Sequence, residues 1–232
     1  MISKTTALLL FLIFLVEVAR TQEYIHPVAI EKSHAALRIE RFERNSEYTR
    51  VVLSIVNKRN SGGWFCASED IRMELKETGK VLHLIRAENI PICPDKHSFK
   101  QYGEKLVFEL YFPPVPKDVM VVNIDEHCSQ ACFYLHEVVL SNAYALQVEK
   151  FEKAIQLLSD EKYGEAIPLF EETATSKMVY PSSLYALSYY YLVLAHEEIG
   201  NQQKAKSWVE KLKVSDVFEK AAILKKLKEM GY

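Results

Sequence analysis

Residues 191–201, Tyr191-Leu192-Val193-Leu194-Ala195-His196-Glu197-Glu198-Ile199-Gly200-Asn201, carry the clearest pattern in this chain, and Ala205 and Trp208-Val209 continue it. Apolar residues recur there at helical spacing, and Gly200-Asn201 is typical of a helix C-terminus. An earlier segment repeats the order with Ala154, Leu157-Leu158, Tyr163, Ala166 and Phe170. Residues 144–212 therefore predict two helix-turn-helix units, an arrangement that offers a surface for holding another molecule.

Five helices are predicted from residue 142 onward. The first is amphipathic, because Val148, Phe151, Ile155 and Leu158 recur at helical spacing, and Ser141 or Asn142 can cap its N-terminus. The others are predicted over residues 163–173, 181–199, 203–213 and 217–230, with Ser215-Asp216 capping the last. Pro168 is tolerated only near a first turn, so we expect the hydrogen-bonded part of the second helix to start late.

These helical residues resemble the tetratricopeptide repeat family. Ala166 and Ala205 stand where the family has a small contact residue, and His196 stands where an aromatic residue is usual. The resemblance implies two helical pairs plus a capping helix over residues 142–232, although the two alanines are farther apart than the family period of about 34 residues. It also implies a concave, partner-binding face for a protein or peptide, here including Val148, Phe151, Ile155, Tyr190 and Leu194. The alternative is that these apolar side chains belong to the core.

Residues 22–141 contain short segments in which apolar and polar residues alternate. Val51, Leu53 and Ile55 share one strand face, and residues 105–112 place Leu106, Phe108, Leu110 and Phe112 on another. The run Pro113-Pro114-Val115-Pro116 ends that second strand. About seven such strands without helical patterns between them predict an antiparallel sandwich and exclude a doubly wound α/β fold.

A hairpin is predicted at residues 77–80, between a strand at residues 71–75 and a returning strand over residues 81–87. A register that places Leu75 opposite Leu82 and Met73 opposite Leu84 keeps the apolar residues on one face. Extended outward, this register brings Cys66 near Cys93 and leaves Cys128 to pair with Cys132. We therefore predict these two disulfides for an exported chain with four cysteines; the alternative is that one or both pairs stay reduced.

The same segment resembles the immunoglobulin-like β-sandwich modules of exported bacterial proteins. The resemblance rests on the turn at Gly63-Trp64, the break at residues 112–116 and the sequence Asn123-Ile124-Asp125-Glu126. The Cys…Trp…Cys order of true immunoglobulin domains is absent, and modules of this kind share no common activity. The resemblance therefore implies an immunoglobulin-like architecture for residues 22–141 and no function.

The N-terminal residues predict export. Lys4 precedes an apolar run at residues 7–16, which is shorter than the roughly 20 residues of a membrane-spanning helix. The pattern fits a signal peptide over residues 1–21, and an uncleaved anchor is the alternative. The whole chain is 49% hydrophobic and 26% charged with a net charge of −2, which predicts a real core and gives no basic surface for nucleic acid.

Two chemical interpretations of residues 125–136 are weaker than the disulfide. His127, Cys128, Cys132 and His136 are of the residue types that bind zinc, but their spacing is not diagnostic of a zinc site. A hydrolase would use Asp125, Glu126 and His127, yet adjacent side chains on a strand point to opposite faces. The motifs of serine hydrolases, zinc proteases and phosphate-binding loops do not occur. We therefore expect no catalytic residue, no metal and no cofactor.

The predicted fold class is α+β in two domains, an N-terminal antiparallel β-sandwich followed by a tetratricopeptide-like helical array. The first functional hypothesis is a non-enzymatic scaffold, periplasmic or secreted, that recognises a protein or peptide through the helical face. The alternative is a glycan- or envelope-binding sandwich supported by the helices, which an exposed aromatic platform around Trp64 and Tyr111 would favour. We expect no nucleic-acid partner and no membrane span after signal cleavage, and the oligomeric state stays open.

Overall fold

The computed structural model describes residues 21–129 and 131–232, so the predicted signal peptide lies outside the described residues except for Thr21. Antiparallel strands are followed by five helices, which confirms the α+β class. The strands are β1 (Gln22–Ile25), β2 (Val28–Lys32), β3 (Leu37–Arg44), β4 (Thr49–Val56), β5 (Trp64–Phe65), β6 (Ile71–Leu75), β7 (Lys80–His83), β8 (Arg86–Glu88), β9 (His97–Ser98), β10 (Lys105–Phe112), β11 (Val121–Glu126) and β12 (Tyr134–Val139). The helices are α1 (Asn142–Ser159), α2 (Tyr163–Thr175), α3 (Ser183–Glu198), α4 (Gln202–Val214) and α5 (Lys220–Glu229).

Two five-stranded antiparallel sheets form a sandwich-like β part. Their strand orders are β1-β3-β4-β10-β8 and β2-β12-β11-β6-β7. Inward side chains of both sheets belong to one apolar cluster, which includes Leu53 and Phe108 of the first sheet and Met73 and Ile124 of the second. The inward faces predicted for β4 and β10 are confirmed, and Phe108 lies opposite Leu53 in the ladder.

The hairpin of β6 and β7 forms, but its predicted register is wrong by two residues. Leu75 lies opposite Lys80 and Met73 lies opposite Leu82. The turn is tighter than expected, because Gly79 adopts φ 67° and donates its N–H to the carbonyl of Leu75 at 2.8 Å. A shift of two residues preserves the faces, so Met73 and Leu82 remain buried. The returning strand also ends early, since β8 pairs with β10 in the other sheet.

Arg44 ties β1 to the segment that follows β10. Its side chain is 2% exposed, and its guanidinium donates hydrogen bonds to the side chains of Gln22 and Tyr24. It also donates to the backbone carbonyls of Pro116, Lys117 and Val119 at 2.7 to 2.8 Å. Burial lowers the pKa of Arg44, and the Tyr24 hydroxyl counteracts this effect. A buried cation is tolerated here because its donors are satisfied.

The first two helices begin close to their predicted positions. The Ser141 hydroxyl accepts a hydrogen bond from the N–H of Tyr144 at 3.2 Å, as expected for an N-cap of α1. The expected late start of α2 is wrong, because the Lys162 carbonyl already accepts the N–H of Ala166 at 3.1 Å and Pro168 lies inside the helix. The carbonyl that loses a partner belongs to Gly164, an exposed residue of the first turn, so water can bond it instead.

The fifth helix starts later than predicted. Residues 217–219 are not helical, Glu219 adopts a left-handed φ of 59°, and α5 begins at Lys220. The Lys220 ammonium donates to the carbonyl of Ser215, so the proposed Ser215-Asp216 cap is replaced by a short connecting segment. Val217 packs against the helical core before the helix begins.

Consecutive helices pack on one another and share an apolar core. Ala154, Phe170, Leu192 and Trp208 are buried in it. Tyr189 is buried, whereas Tyr190 and Tyr191 are half-buried, as helical spacing requires of a run of tyrosines.

The helices and the β part contact each other directly at the start of α1. The Asn142 side chain accepts the N–H of Ile25 at 2.8 Å and donates to the carbonyl of Glu23 at 3.2 Å. The Tyr180 hydroxyl donates to Glu137 at 2.9 Å, and burial together with this carboxylate raises the pKa of Tyr180 to about 12. A small apolar cluster, Val139, Tyr144, Leu184 and Tyr185, fills the junction.

Candidate binding sites

Both predicted disulfides are present. Cys66 is bonded to Cys93 and Cys128 to Cys132, with Cα–Cα distances of 5.4 and 5.5 Å. The sulfurs of Cys128 and Cys132 are therefore not free thiolates, the form in which cysteine binds zinc. Two disulfides in a chain of this size indicate folding in an oxidising environment.

The Cys66–Cys93 pairing is right, but the register argument that led to it is wrong. Ala67 and Ile92 form an isolated parallel bridge rather than an extension of the hairpin. The N–H of Ala67 donates to the carbonyl of Pro91 at 3.0 Å, and the N–H of Cys93 donates to the carbonyl of Ala67 at 2.9 Å. Backbone pairing one residue away from each cysteine thus sets the distance for the bond.

A cavity of about 470 Å³ has both disulfides in its wall, and we call it the disulfide cup. The residues that define it are Trp64, Phe65, Cys66, Cys93, Glu126 and Cys128. Of the two aromatic residues expected to form a platform, Trp64 is 40% exposed. Tyr111 is buried beneath the Arg86 guanidinium, 3.6 Å from its ring centroid, so it belongs to no platform.

Asn57 holds the rim of the cup together. Its side-chain amide donates to the carbonyls of Arg59 and Gln101 at 3.0 and 2.8 Å, and its oxygen accepts the N–H of Arg59 at 3.0 Å. Gly63 makes this packing feasible, because a Cβ at that position would lie 2.5 Å from the Asn57 side-chain oxygen. The turn at Gly62-Gly63 therefore needs a glycine at its second position for steric reasons.

Glu126 joins two loops inside the cup. Its carboxylate accepts the N–H of Ser68 at 2.6 Å and the N–H of Phe133 at 2.9 Å. Burial raises the pKa of Glu126, and the two backbone donors oppose that rise. Its neighbour Asp125 points the other way, with 2.6 Å between its carboxylate and the ring of His136. The residues of the hydrolase interpretation are thus on opposite faces, as strand alternation predicts.

A second concave surface lies between α1 and the β part, and we call it the helix–sheet groove. It has a volume of about 800 Å³. Its apolar floor and charged walls come from β1, β2, β3 and α1, and the defining residues are Ile25, Val28, Leu37, Arg38, Leu146 and Glu149. Leu146 is 51% exposed and Ile25 is 42% exposed, so the floor is open to solvent.

Charges of opposite sign face each other across the groove. Glu149 and Glu152 stand on α1, while the β side carries Lys32, Arg38 and the ion pair of Lys105 with Glu40. Burial and the neighbouring Arg38 lower the pKa of Lys32, whereas Glu152 raises it. The Lys32 ammonium donates to the carbonyl of Leu37 at 3.1 Å, which directs that cation along the strand edge rather than across to α1.

The five residues predicted to bind a partner are all half-buried. Phe151 packs edge-on against Phe170, with ring centroids 5.7 Å apart, and the ammonium of Lys226 lies 4.3 Å from the ring centroid of Tyr190. Ile155 also packs against the helical core, and Leu194 is half-buried on α3. Val148 packs against the junction cluster together with Phe151, and it also lines the helix–sheet groove.

Comparisons of this chain with protein-family models, curated proteins and solved structures find no match. Within the described residues, no helix has the length and apolar character needed to cross a membrane. The candidate sites therefore rest on their own contacts. The β side of the groove was not predicted from the sequence. No local sequence pattern shows that β1 ends before it has paired with the whole of β3.

Proposed function

We propose that this chain is an exported, non-enzymatic binding protein that holds an extended segment of a protein or peptide in the helix–sheet groove. The observation that supports this most directly is the solvent-open apolar floor between α1 and the edge of β3. Covering exposed apolar side chains such as Leu146 and Ile25 contributes about 25 cal/mol for each Å² removed from water. A partner that fills the groove gains this free energy of burial, and no helix or strand of the protein has to unfold for it to bind.

The edge of β3 supplies backbone groups for an added strand. β1 pairs with Arg41–Arg44, and the N–H of His26 donates to the carbonyl of Glu40 at 3.0 Å, so residues 37–39 of β3 have β4 on one side and the groove on the other. The N–H of Leu37 donates to the carbonyl of His34, and its carbonyl accepts Lys32, so both groups point away from β4. Backbone groups alternate along a strand, so those of Ile39 point to the same side. Because the groups of Leu37 are already bonded, an extended segment would hydrogen-bond to those of Ile39 by strand addition.

The charged walls favour a particular kind of segment. Successive side chains of an extended chain point to opposite sides, so one set would face α1 and the other the β side. Basic side chains match Glu149 and Glu152, and acidic side chains match Lys32 and Arg38. We therefore propose a segment in which apolar residues are combined with charges of both signs.

The helices enter this proposal as a tetratricopeptide-like array with α1 as its first helix. Its support is the sequential packing of the helices and the complete burial of Ala166 and Ala205, the small residues of the resemblance. Because Tyr190 is covered by Lys226 of α5, the groove side of α1, including Val148, replaces the central concave face as the proposed surface. Export to the periplasm or outside the cell is supported by the signal-like N-terminus and the two disulfides.

The test is a selection of peptides that bind residues 22–232 from a displayed library of random linear peptides. Selected peptides should bind the wild type, and calorimetry should show at least tenfold weaker binding to Leu146→Asp, which is about 1.4 kcal/mol. Val214→Asp is the matched control, because Val214 is 86% exposed on α4 and lies outside the groove. Hydrogen exchange should show added protection of the Ile39 amide when the peptide is bound.

The proposal fails if selected peptides bind Leu146→Asp and Val214→Asp equally well. It also fails if no peptide survives selection, or if bound peptides leave exchange at Ile39 unchanged. An Arg38→Glu variant adds a check on charge, because peptides with acidic residues should lose affinity for it while keeping affinity for Val214→Asp.

A further inference from the structure

The disulfide cup has the rigidity of a small-ligand site, and it is separate from the helix–sheet groove. Both disulfides fix its wall, and Glu126 fastens two of its loops through the N–H groups of Ser68 and Phe133. Asn57 closes its rim with three side-chain hydrogen bonds. Walls fixed in advance lower the ordering cost of binding, and a volume near 470 Å³ lies in the range of ligand pockets.

One wall of the cup is an exposed tryptophan ring. Trp64 remains 40% exposed although Phe65, the next residue, is buried. The ammonium of Lys96 lies 4.1 Å from the Trp64 ring centroid, but Lys96 does not line the cup. The indole therefore keeps a surface toward the cup that the cation does not cover, which suits stacking by a ring rich in C–H groups.

The mouth of the cup is cationic. Lys58 and Arg59 line it, and neither forms an ion pair with any described residue, while the Lys58 ammonium lies 5.8 Å from the ring centroid of Tyr102. Among the described residues of the wall, Glu126 carries the one carboxyl group. It is buried and already accepts hydrogen bonds from two backbone N–H groups, and burial raises its pKa. An entering anion thus meets two cations at the surface, while the acidic group is withdrawn from the mouth.

We propose that the disulfide cup binds an acidic sugar of the uronic-acid class. Its C–H face would stack on Trp64, and its carboxylate would lie at Lys58 and Arg59. Ser33 and His34 also line the cup, where the Ser33 hydroxyl is hydrogen-bonded to Nδ1 of His34 at 2.8 Å and accepts the N–H of Tyr134 at 3.0 Å. Nε2 of His34 is therefore the polar atom that would meet a sugar hydroxyl, a contact that a purely aromatic acid would leave unused. This site is independent of the peptide proposal, so failure of either leaves the other standing.

The test uses trigalacturonate as the acidic probe and maltotriose as the neutral one. The chain contains two tryptophans, and Trp208 is buried in the helical core, so a Trp208→Phe background reports the fluorescence of Trp64 alone. We expect a saturable fluorescence change with trigalacturonate, binding at least tenfold weaker for maltotriose, and weakening of the acidic probe as salt increases. Calorimetry on the unmodified chain should give the same order.

Two variants locate the site. Lys58→Gln/Arg59→Gln should lose the preference for the acidic probe, whereas Lys225→Gln/Lys228→Gln removes the same charge from exposed positions on α5 and should keep it. Trp64→Ala, measured by calorimetry, should weaken both probes. Equal binding of the two probes, equal losses in the two double variants, or unchanged binding in Trp64→Ala would each overturn the proposal. So would absence of binding, or tighter binding of a naphthoate than of trigalacturonate.

Discussion

Removing the two disulfides separately should cost very different amounts of stability. Cys66 and Cys93 are 27 residues apart, whereas Cys128 and Cys132 are 4 apart. If a bridge acts by restricting the unfolded chain, loop closure assigns about 3.5 kcal/mol to the first bond and about 1.9 kcal/mol to the second at room temperature. The difference of about 1.6 kcal/mol is large enough to measure, because urea midpoints resolve changes of that size.

The assay is equilibrium urea unfolding of Cys66→Ala/Cys93→Ala and Cys128→Ala/Cys132→Ala, followed by circular dichroism at neutral pH. Cys66 is buried, so the single variant Cys93→Ala, which breaks the bond but keeps the Cys66 side chain, measures by its difference from the double variant how much of the loss comes from packing of Cys66. The entropic reasoning is refuted if the short-loop variant loses as much stability as the long-loop variant. It is also refuted if the single and double variants at the first bond differ by more than the predicted gap between the two bonds.

Three further predictions concern stability. Gly63→Ala should destabilise by about 1–3 kcal/mol in urea unfolding, because its Cβ would clash with the Asn57 side chain. Gly164→Ala, with open space around its Cβ in α2, should instead be neutral or stabilising by up to about 1 kcal/mol; a loss equal to that of Gly63→Ala would contradict the steric argument. Arg44→Met should cost about 3–5 kcal/mol, since it removes five hydrogen bonds and leaves the carbonyl of buried Val119 unpaired; a loss below about 1 kcal/mol would mean that water replaces the lost bonds. His196→Leu should stabilise by about 1–2 kcal/mol at neutral pH, because neither ring nitrogen of this buried histidine has a partner among the described residues. Burial lowers the pKa of His196, so its folded form resists protonation, and wild-type stability relative to His196→Leu should fall as pH drops below the unfolded histidine value of about 6.5; a pH-independent difference would refute this.

Features that depend on local periodicity could be predicted from the sequence. The alternation in β4 and β10 identified their buried faces, and the apolar spacing in α3 predicted a helix over residues 181–199, close to the observed Ser183–Glu198. A register error of two residues leaves every side chain on its predicted face of the sheet. The buried face of the β6–β7 hairpin was therefore predicted correctly despite the wrong register. Helix boundaries were weaker, since a side-chain contact such as that of Lys220 with the Ser215 carbonyl decides where α5 begins.

Features that depend on long-range contacts could not be predicted. The correct Cys66–Cys93 pairing came from a register that does not exist, and the real cause is a parallel bridge between Ala67 and Ile92. The predicted partner-binding residues were selected by helical position alone. That position cannot reveal that α5 returns to place Lys226 on Tyr190, or that the groove side of α1 faces the β part.

The helix–sheet groove exists because β1 is shorter than the strand it pairs with. Arg44 fixes the first half of β1 through Gln22 and Tyr24, and Asn142 fixes its end through Ile25. His26 then adopts a left-handed φ of 48°, and the chain leaves one sheet for the other. The same crossing leaves the start of β3 uncovered and, through Asn142, places α1 beside it. The open strand edge and the helix that faces it are thus two consequences of one turn.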